Sequence, residues 1–388
     1  MKLADRMAFL GGDGMGNMLQ QVVQLKAAGK KVIPLHAGEP DFDTPGLIVE
    51  SAIQALRNGE THYVPAAGTA ALRKAIAEHI SESRHVDVAP DQVIVAPGAK
   101  PMIYFAILAL CGPGDEVLCP NPAYPFYASI SNFVGAKAVS MPLTMDTGFR
   151  FNAELLAQLV TDRTRLIVLN SPSNPTGSIL QRSDLEAVAD IAQRYDAFIL
   201  SDEIYSRIVY DIEKFESIVS LPGMTERTVL VDGHSKTYAM TGWRLGYGVM
   251  PRALAAQITK IALNTISCSA TFTQTAGAQA ITGPQDDVTR MVARFRQRRD
   301  RIVDGLNSIP GVRCLRPDGA FYAFAKIEAT DMPSQALSEY LLSHAGVATY
   351  PGSAFGEYGE GFLRLSFACS ESDIDEGLVR IREALAKL

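Results

Sequence analysis

Cysteine is scarce and scattered in this chain: five of 388 residues, Cys111, Cys119, Cys268, Cys314 and Cys369, with no C-x-x-C pair among them. That spacing argues against a zinc site and a disulfide scaffold, so no metal is expected and a reduced, cytoplasmic setting is. Positive charge is not in surplus either, with 36 Lys plus Arg against 42 Asp plus Glu and a formal net charge of -6. Without basic residues to spare for phosphates, no nucleic-acid partner is expected. Long apolar runs are missing. The longest, Met102 to Cys111, is half of the roughly 20 residues a membrane-spanning helix needs, and reads as a buried helix. The opening MKLADRMAFLGG interrupts its apolar residues with Asp5 and Arg6 and lacks the continuous core of a secretory signal, so no membrane partner is expected. Internal repeats and low-complexity tracts are absent too.

What is present is an ordinary globular composition, 47 % hydrophobic and 20 % charged, with enough apolar surface for a sizeable core. Disorder and fibrous structure are excluded. At about 150 residues per domain, the length predicts two or three domains. Short apolar runs at Gln92–Ala96, Glu116–Cys119, Arg165–Leu169, Ala197–Ser201, Thr228–Val231 and Gly246–Met250 alternate with helical stretches such as Thr69–Ser81, Pro101–Leu110 and Ser183–Arg194. This rhythm predicts an α/β fold with parallel strands joined by helical crossovers. After about Pro284 the pattern changes to an arginine-rich helix, RMVARFRQRRDRIVDGL, followed by strand-like Ala320–Ala325 and Phe362–Ala368. A smaller α+β domain is expected there: residues 284–388, joined by the N-terminal segment 1–45, beside a large domain of 46–283.

Four of the expected strands run into polar or glycine-containing turns: PGAK after Val95, NSPSNPTG after Leu169, SDEIY after Leu200 and DGHSK after Val231. Parallel sheets bind ligands at the carboxyl ends of their strands, so these turns should share one site. Lys236 in the last turn, taken alone, is compatible with a solvated surface lysine. Arg244 follows in TGWR, and an amine with a guanidinium suits a carbonyl compound that carries a phosphate. Asp202, preceded by Phe198-Ile199-Leu200, is either a cap of the next segment or a partly buried acid that needs a cation. A pyridine nitrogen kept protonated is one such cation, with the Tyr205 phenol near a ring hydroxyl. Asn174 lies in an ordinary Asn-Pro turn former or is held rigidly by the two prolines and glycine around it. Gly98-Ala99-Lys100-Pro101 opens an apolar helix, with proline read at its first position, and its free N–H groups form a phosphate cradle.

These turns together resemble the class I/II aminotransferases, pyridoxal-phosphate enzymes of fold type I, and in particular their bacterial aspartate aminotransferase branch. The likeness runs from Leu35-His36-Ala37-Gly38-Glu39-Pro40-Asp41-Phe42 through Thr61-His62-Tyr63, PGAK, NPAY, NSPSNPTG, DEIY, SK and TGWR to Phe362-Leu363-Arg364-Leu365-Ser366-Phe367, nearly the whole chain. It implies a large domain with a mainly parallel seven-stranded sheet between helices. The implied cofactor is pyridoxal 5'-phosphate. By resemblance, Lys236 is its covalent anchor and moves the substrate proton, Asp202 partners the ring nitrogen, and Tyr205 with Asn174 meets the ring oxygen. Tyr124 is implied to stack on the ring, and Arg244, Ser235 and Gly98-Ala99-Lys100 to bind the phosphate. Tyr63 is implied to reach the phosphate of the opposite subunit in a homodimer with shared sites. Arg364 and Gly38 resemble the clamp on the substrate α-carboxylate, where an arginine fork makes two bonds that lysine cannot, and Asn174 is implied to touch the substrate as well. The implied reaction moves the α-amino group of an L-amino acid to 2-oxoglutarate, pyruvate or oxaloacetate in a ping-pong cycle. A β-lyase or an aminocyclopropane-type cyclase is the alternative on the same scaffold.

The chain departs from that pattern at three places. Gly233 stands where many members carry a phosphate-binding hydroxyl, while His234 and His36 are either packing variants or substrate contacts. Gly11-Gly12-Asp13-Gly14-Met15-Gly16-Asn17 invites a dinucleotide-binding reading and a nicotinamide-dependent dehydrogenase. Asn17 occupies the place of the third glycine, however, and no strand-like run precedes the segment. The glycines suggest instead that Gly11 to Met18 is too flexible for a helix or strand and forms a lid ahead of helix-like Gln20–Ala28. Asp13 then either faces the substrate or occupies a solvated turn.

Overall fold

The structure, a computed structural model, describes residues 3–11, 14–212 and 214–388, with the backbone alone at 14–17. Asp13 and its proposed contact therefore lie outside the described residues.

Seven strands build the larger sheet: β1 (Val93–Ala96), β2 (Glu116–Asn121), β3 (Lys137–Pro142), β4 (Thr164–Asn170), β5 (Phe198–Asp202), β6 (Thr228–Gly233) and β7 (Gly246–Val249), in the order β1-β7-β6-β5-β4-β2-β3. Strands β2 to β6 pair in parallel, and β7 runs antiparallel to both β6 and β1. Central strands such as Arg165–Leu169 and Phe198–Leu200 are runs of Val, Ile and Leu because helices cover both sheet faces. Apolar clusters accordingly lie on either side, one around Ile76, Ile167, Ile199 and Leu230, the other around Ile103, Val168, Leu200 and Val229.

A smaller sheet follows, made of β8 (Val312–Cys314), β9 (Tyr322–Ile327), β10 (Tyr350–Pro351) and β11 (Phe362–Ser366) in the antiparallel order β10-β11-β9-β8. The arginine-rich stretch forms the helix Asp286–Asn307, whose buried stripe Met291, Phe295, Ile302 and Leu306 follows helical spacing and packs on this sheet, while Val288 packs with Ile48, Tyr238 and Met240. Two of its arginines turn inward. Arg298 Nη1 meets Asp41 Oδ1 at 2.6 Å and Arg299 Nη2 meets Asp211 Oδ2 at 2.6 Å, so each buried cation has its counter-ion.

The loops of the two sheets are joined by a seam of backbone bonds, and Ala123 N donating to Phe355 O at 2.9 Å is a further tie away from it. Asp318 N and Gly319 N donate to Gly177 O at 3.0 and 2.9 Å, Tyr210 N donates to Asp318 O at 2.7 Å, and Ala320 N donates to Ile208 O at 2.9 Å. Gly177 is left-handed (φ +68°) and a Cβ there would lie 2.3 Å from Pro317 Cβ, so only glycine lets the two loops touch.

Two local expectations need correcting. The segment read as too flexible for regular structure becomes helical at Gly14 and stays so to Ala27, with buried Met18 and Val22 packing on Phe324 and Tyr350 in one apolar cluster. Tertiary burial of one face outweighs the low helix propensity of glycine. In the helix Ala99–Leu110, Gly98 is the N-cap, which makes Pro101 its third residue and not its first. The third position also lacks an intrahelical acceptor for its N–H, so proline is tolerated there.

Candidate active site

The carboxyl ends of β1, β4, β5 and β6 open on one cavity of about 460 Å³. Gly38, Ala99, Lys100, Tyr124, Asn174, Asp202, Tyr205, Ser235, Lys236, Arg244 and Arg364 all line it. Gly98 borders it through its contact with Arg244. Tyr63 is elsewhere, 89 % exposed on the surface.

Lys236 follows β6 in a one-turn helix, His234–Thr237, and its Nζ donates to Gly38 O at 2.5 Å. Burial lowers its pKa from 10.5 to about 8; Arg364 and Arg244 act in the same direction, against Glu39 and Asp202. A lysine so placed is neutral over much of the mildly alkaline range and is able to act as nucleophile and base. Asp202 closes β5 and is buried. It accepts from Tyr127 Oη at 2.7 Å and from Ile204 N at 3.2 Å, with no cationic side chain in contact among the described residues. Burial raises its pKa to about 6, the Tyr127 and Ile204 bonds pulling the other way. A cation brought beside it is what would restore its charge.

The Gly98 turn, Ser235 and Arg244 form an anion cradle at the same cavity. Gly98 takes φ +104°, and a Cβ there would sit 2.4 Å from Arg244 Nη2. Arg244 itself is held at φ +55° and, among the described residues, donates only to carbonyls, Thr241 O at 2.7 Å and Pro97 O at 3.3 Å. Its guanidinium is thus oriented without a carboxylate, beside the N–H groups that begin the helix at Ala99 and beside Ser235. Gly233 could not carry a hydroxyl in this fold: a Cβ would meet Gly246 Cα at 2.9 Å and Leu245 O at 3.1 Å. The side chain of Lys100 leaves the turn and lies over Tyr124 and Phe126, with Nζ 5.3 and 4.8 Å from the ring centroids.

Arg364 enters from β11 and is buried. Nη1 donates to Asn174 Oδ1 at 3.1 Å and Nη2 to His36 O at 2.8 Å, while Nε has no partner among the described residues. The rings of Tyr322, Tyr350 and Phe355 surround the guanidinium at 4.3, 4.8 and 5.1 Å. A buried, aromatic-walled guanidinium with an unsatisfied N–H is a receptor for a carboxylate. Both histidines turn out to pack against protein. The His36 ring lies edge-on to Tyr350, and His234 Nε2 meets Gly277 O at 3.1 Å; burial holds both near pKa 4 and therefore neutral.

Three cavity tyrosines, Tyr127, Tyr322 and Tyr350, escaped the sequence reading. Tyr127 bonds Asp202, and Tyr322 Oη lies 2.8 Å from Tyr205 Oη. Tyr127 lies in the helix Phe126–Phe133, which begins two residues after Tyr124, and that closeness in sequence is the signal that could have pointed to it. Tyr322 had none.

What such a cavity suits is a phosphorylated ring with a protonatable nitrogen and a carbonyl that reacts with an amine, which places the protein among the pyridoxal-phosphate enzymes of fold type I. The profile described as aminotransferase class I and II matches residues 30–381. An aspartate aminotransferase of Musicola paradisiaca is 39 % identical over 387 residues, covering 99 % of this chain and 97 % of that protein. The arginine–pyruvate transaminase of Pseudomonas aeruginosa is 37 % identical over 390 residues, covering 100 % and 99 %. The crystal structure of the aspartate aminotransferase from Rhizobium meliloti superposes with a TM-score of 0.95 at 37 % identity and full coverage of both chains. The chain belongs to the class I and II aminotransferases and is a pyridoxal-phosphate-dependent enzyme acting on amino and oxo acids. The dehydrogenase alternative has no footing: no strand among the described residues precedes Gly14, which begins a helix after a 3-10 turn at Asp5–Phe9.

Proposed function

We propose that Lys236 anchors pyridoxal phosphate covalently, that Asp202 pairs with its ring nitrogen, and that Tyr205 and Asn174 serve its ring oxygen. Tyr124 covers the ring, and Gly98, Ala99, Lys100 through its backbone, Ser235 and Arg244 receive the phosphate. The support is that the buried Asp202 carboxylate and the Arg244 guanidinium line one cavity, neither with an oppositely charged side chain against it among the described residues. When bound, the cofactor supplies a carbon that takes up the amino group and a ring that accepts the electron pair left at Cα. Arg364 and Gly38 orient the α-carboxylate. Lys236, released and uncharged, takes the proton from Cα and returns it.

The donor we infer is an acidic amino acid, with a 2-oxo acid such as 2-oxoglutarate, oxaloacetate or pyruvate as acceptor. Lys100 lines the cavity with no carboxylate in ion-pair distance among the described residues, and relatives named for aspartate support the same donor. We also propose a cytoplasmic homodimer in which the partner subunit's Tyr63 completes the phosphate site, in keeping with the near-complete exposure of that residue. No helix among the described residues is long and apolar enough to cross a membrane. The division into 46–283 and 284–388 with 1–45 is supported by the Ile33–Val347 bridge and by Ser366 N donating to Leu35 O at 2.7 Å, which tie the N-terminal segment to the smaller sheet.

The observation that carries this reading is the convergence of Lys236, Asp202 and Arg364 on one cavity. The purified enzyme is expected to absorb in the visible and to bleach on adding aspartate. Lys236→Ala should lose turnover while retaining some cofactor non-covalently; a variant with an unchanged band and full activity would move the anchor to another lysine.

A further inference from the structure

Tyr322 projects from β9 next to Arg364 on β11. Tyr322 pairs with Ser366 and Arg364 with Phe324, so the two are diagonal neighbours on one face of the sheet, within reach of an aromatic and a long side chain. The guanidinium lies 4.3 Å from the Tyr322 ring centroid, and the Tyr322 hydroxyl lies 2.8 Å from the Tyr205 hydroxyl. The same side chain thus touches the residue proposed to hold the substrate carboxylate and the residue proposed to serve the cofactor ring oxygen.

Two phenols 2.8 Å apart share one proton between their oxygens, and its origin matters. If Tyr205 donates to Tyr322, its proton is consumed inside the protein. If Tyr322 donates, the Tyr205 proton stays free to point into the cavity. Neither hydroxyl has another hydrogen-bond partner among the described residues. The Arg364 cation over its ring favours Tyr322 as the more acidic phenol and hence the better donor. In line with this, burial drives the pKa of Tyr205 well above 10 and raises that of Tyr322 less, with Arg364 opposing burial at both.

We propose that Tyr322 is a positioning residue: its hydroxyl donates to Tyr205 and so directs the Tyr205 proton at the cofactor ring oxygen, while its ring carries the Arg364 guanidinium in place for the α-carboxylate. This deepens the proposed function and rests on its assignment of Tyr205 and Arg364. A hydrogen bond received by Tyr205 polarises it and strengthens the one it makes. A stronger donor at the ring oxygen stabilises the form that has lost its proton, so it lowers the pH midpoint of the visible band of the loaded enzyme.

The test is a pH titration of that band in wild type, Tyr322→Phe, Tyr205→Phe and the double variant, with propionate binding measured alongside. Tyr322→Phe is expected to raise the midpoint by about half a pH unit, less than Tyr205→Phe does. The double variant should titrate with Tyr205→Phe alone, because the hydroxyl acts through Tyr205. Tyr322→Leu, which serves the same comparison should the Phe protein not fold, should in addition weaken propionate binding. A wild-type midpoint in every Tyr322 variant, or shifts that simply add in the double variant, overturns the proposal. Absence of a titrating band in wild type would instead overturn the cofactor assignment, so the two failures are distinct.

Discussion

Arg364 is buried and, among the described residues, paired only with neutral oxygens and surrounded by three rings, so a carboxylate entering the cavity would supply the counterpart of its charge. Arg364→Ala is expected to lower kcat/KM for every amino acid donor alike, by several kcal/mol or roughly a hundredfold and more, as a lost bidentate charged contact does. A loss confined to acidic donors would put Arg364 at the substrate side chain. Residues of this kind were legible in the sequence because each stands at the end of an apolar strand or inside one, where a lone charge has a cost that needs an explanation. Lys236, Asp202 and Arg364 all have that signature. Tyr127 and Tyr322 do not, since a tyrosine in an apolar run is ordinary core and their partners are 75 and 117 positions away. Only the fold brings those hydroxyls together.

Strands and helices were read with uneven success for an equally physical reason. The buried central strands announced themselves as apolar runs, whereas β3, at the edge of the sheet and only partly buried, reads Lys-Ala-Val-Ser-Met-Pro and gives no such signal. The helix at Gly14–Ala27 was hidden by its glycines. Elsewhere glycine is a requirement of packing. At Gly246 in β7 a Cβ would approach Ala99 N and the Gly98 carbonyl carbon at 2.5 Å, backbone atoms that cannot step aside. Gly246→Ala should therefore push the phosphate turn outward. We expect at least a tenfold rise in the dissociation constant for pyridoxal phosphate, measured by fluorescence titration of the stripped enzyme, and about 1–3 kcal/mol of destabilisation from overpacking. Unchanged affinity would mean that the turn does not bear on the phosphate.

At the scale of the whole molecule, Tyr63 offers a test of assembly. Mixing Tyr63→Phe with Lys236→Ala protein under conditions of subunit exchange should create hybrid dimers with one fully native site. Activity above both parents is expected, and none above them would make each site the property of a single chain. Acid stability offers a second. Burial lowers His36, His79 and His234 from 6.5 to about 4, so the unfolded chain binds more protons than the folded one between those values. Stability is then present above pH 6.5 and is lost on acidification toward 4, while Asp202 and Asp232, raised to about 6 and 7, contribute with the opposite sign. His234→Gln isolates one histidine: relative to wild type it should gain up to about 3 kcal/mol between pH 7 and pH 4, read as a flatter Tm profile. Equal slopes would show that His234 is charged or exposed in the folded protein.

The seam of backbone bonds between Gly177 and Gly319 and between Ile208 and Ala320 bears on how the chain tolerates substitution. Main-chain bonds do not depend on which side chains the residues carry, so the join is insensitive to most substitutions and fails only where a side chain forces the two loops apart, as one would at Gly177. Asn174, three residues before Gly177, inherits that fixed position and is held by it within reach of Arg364 on β11.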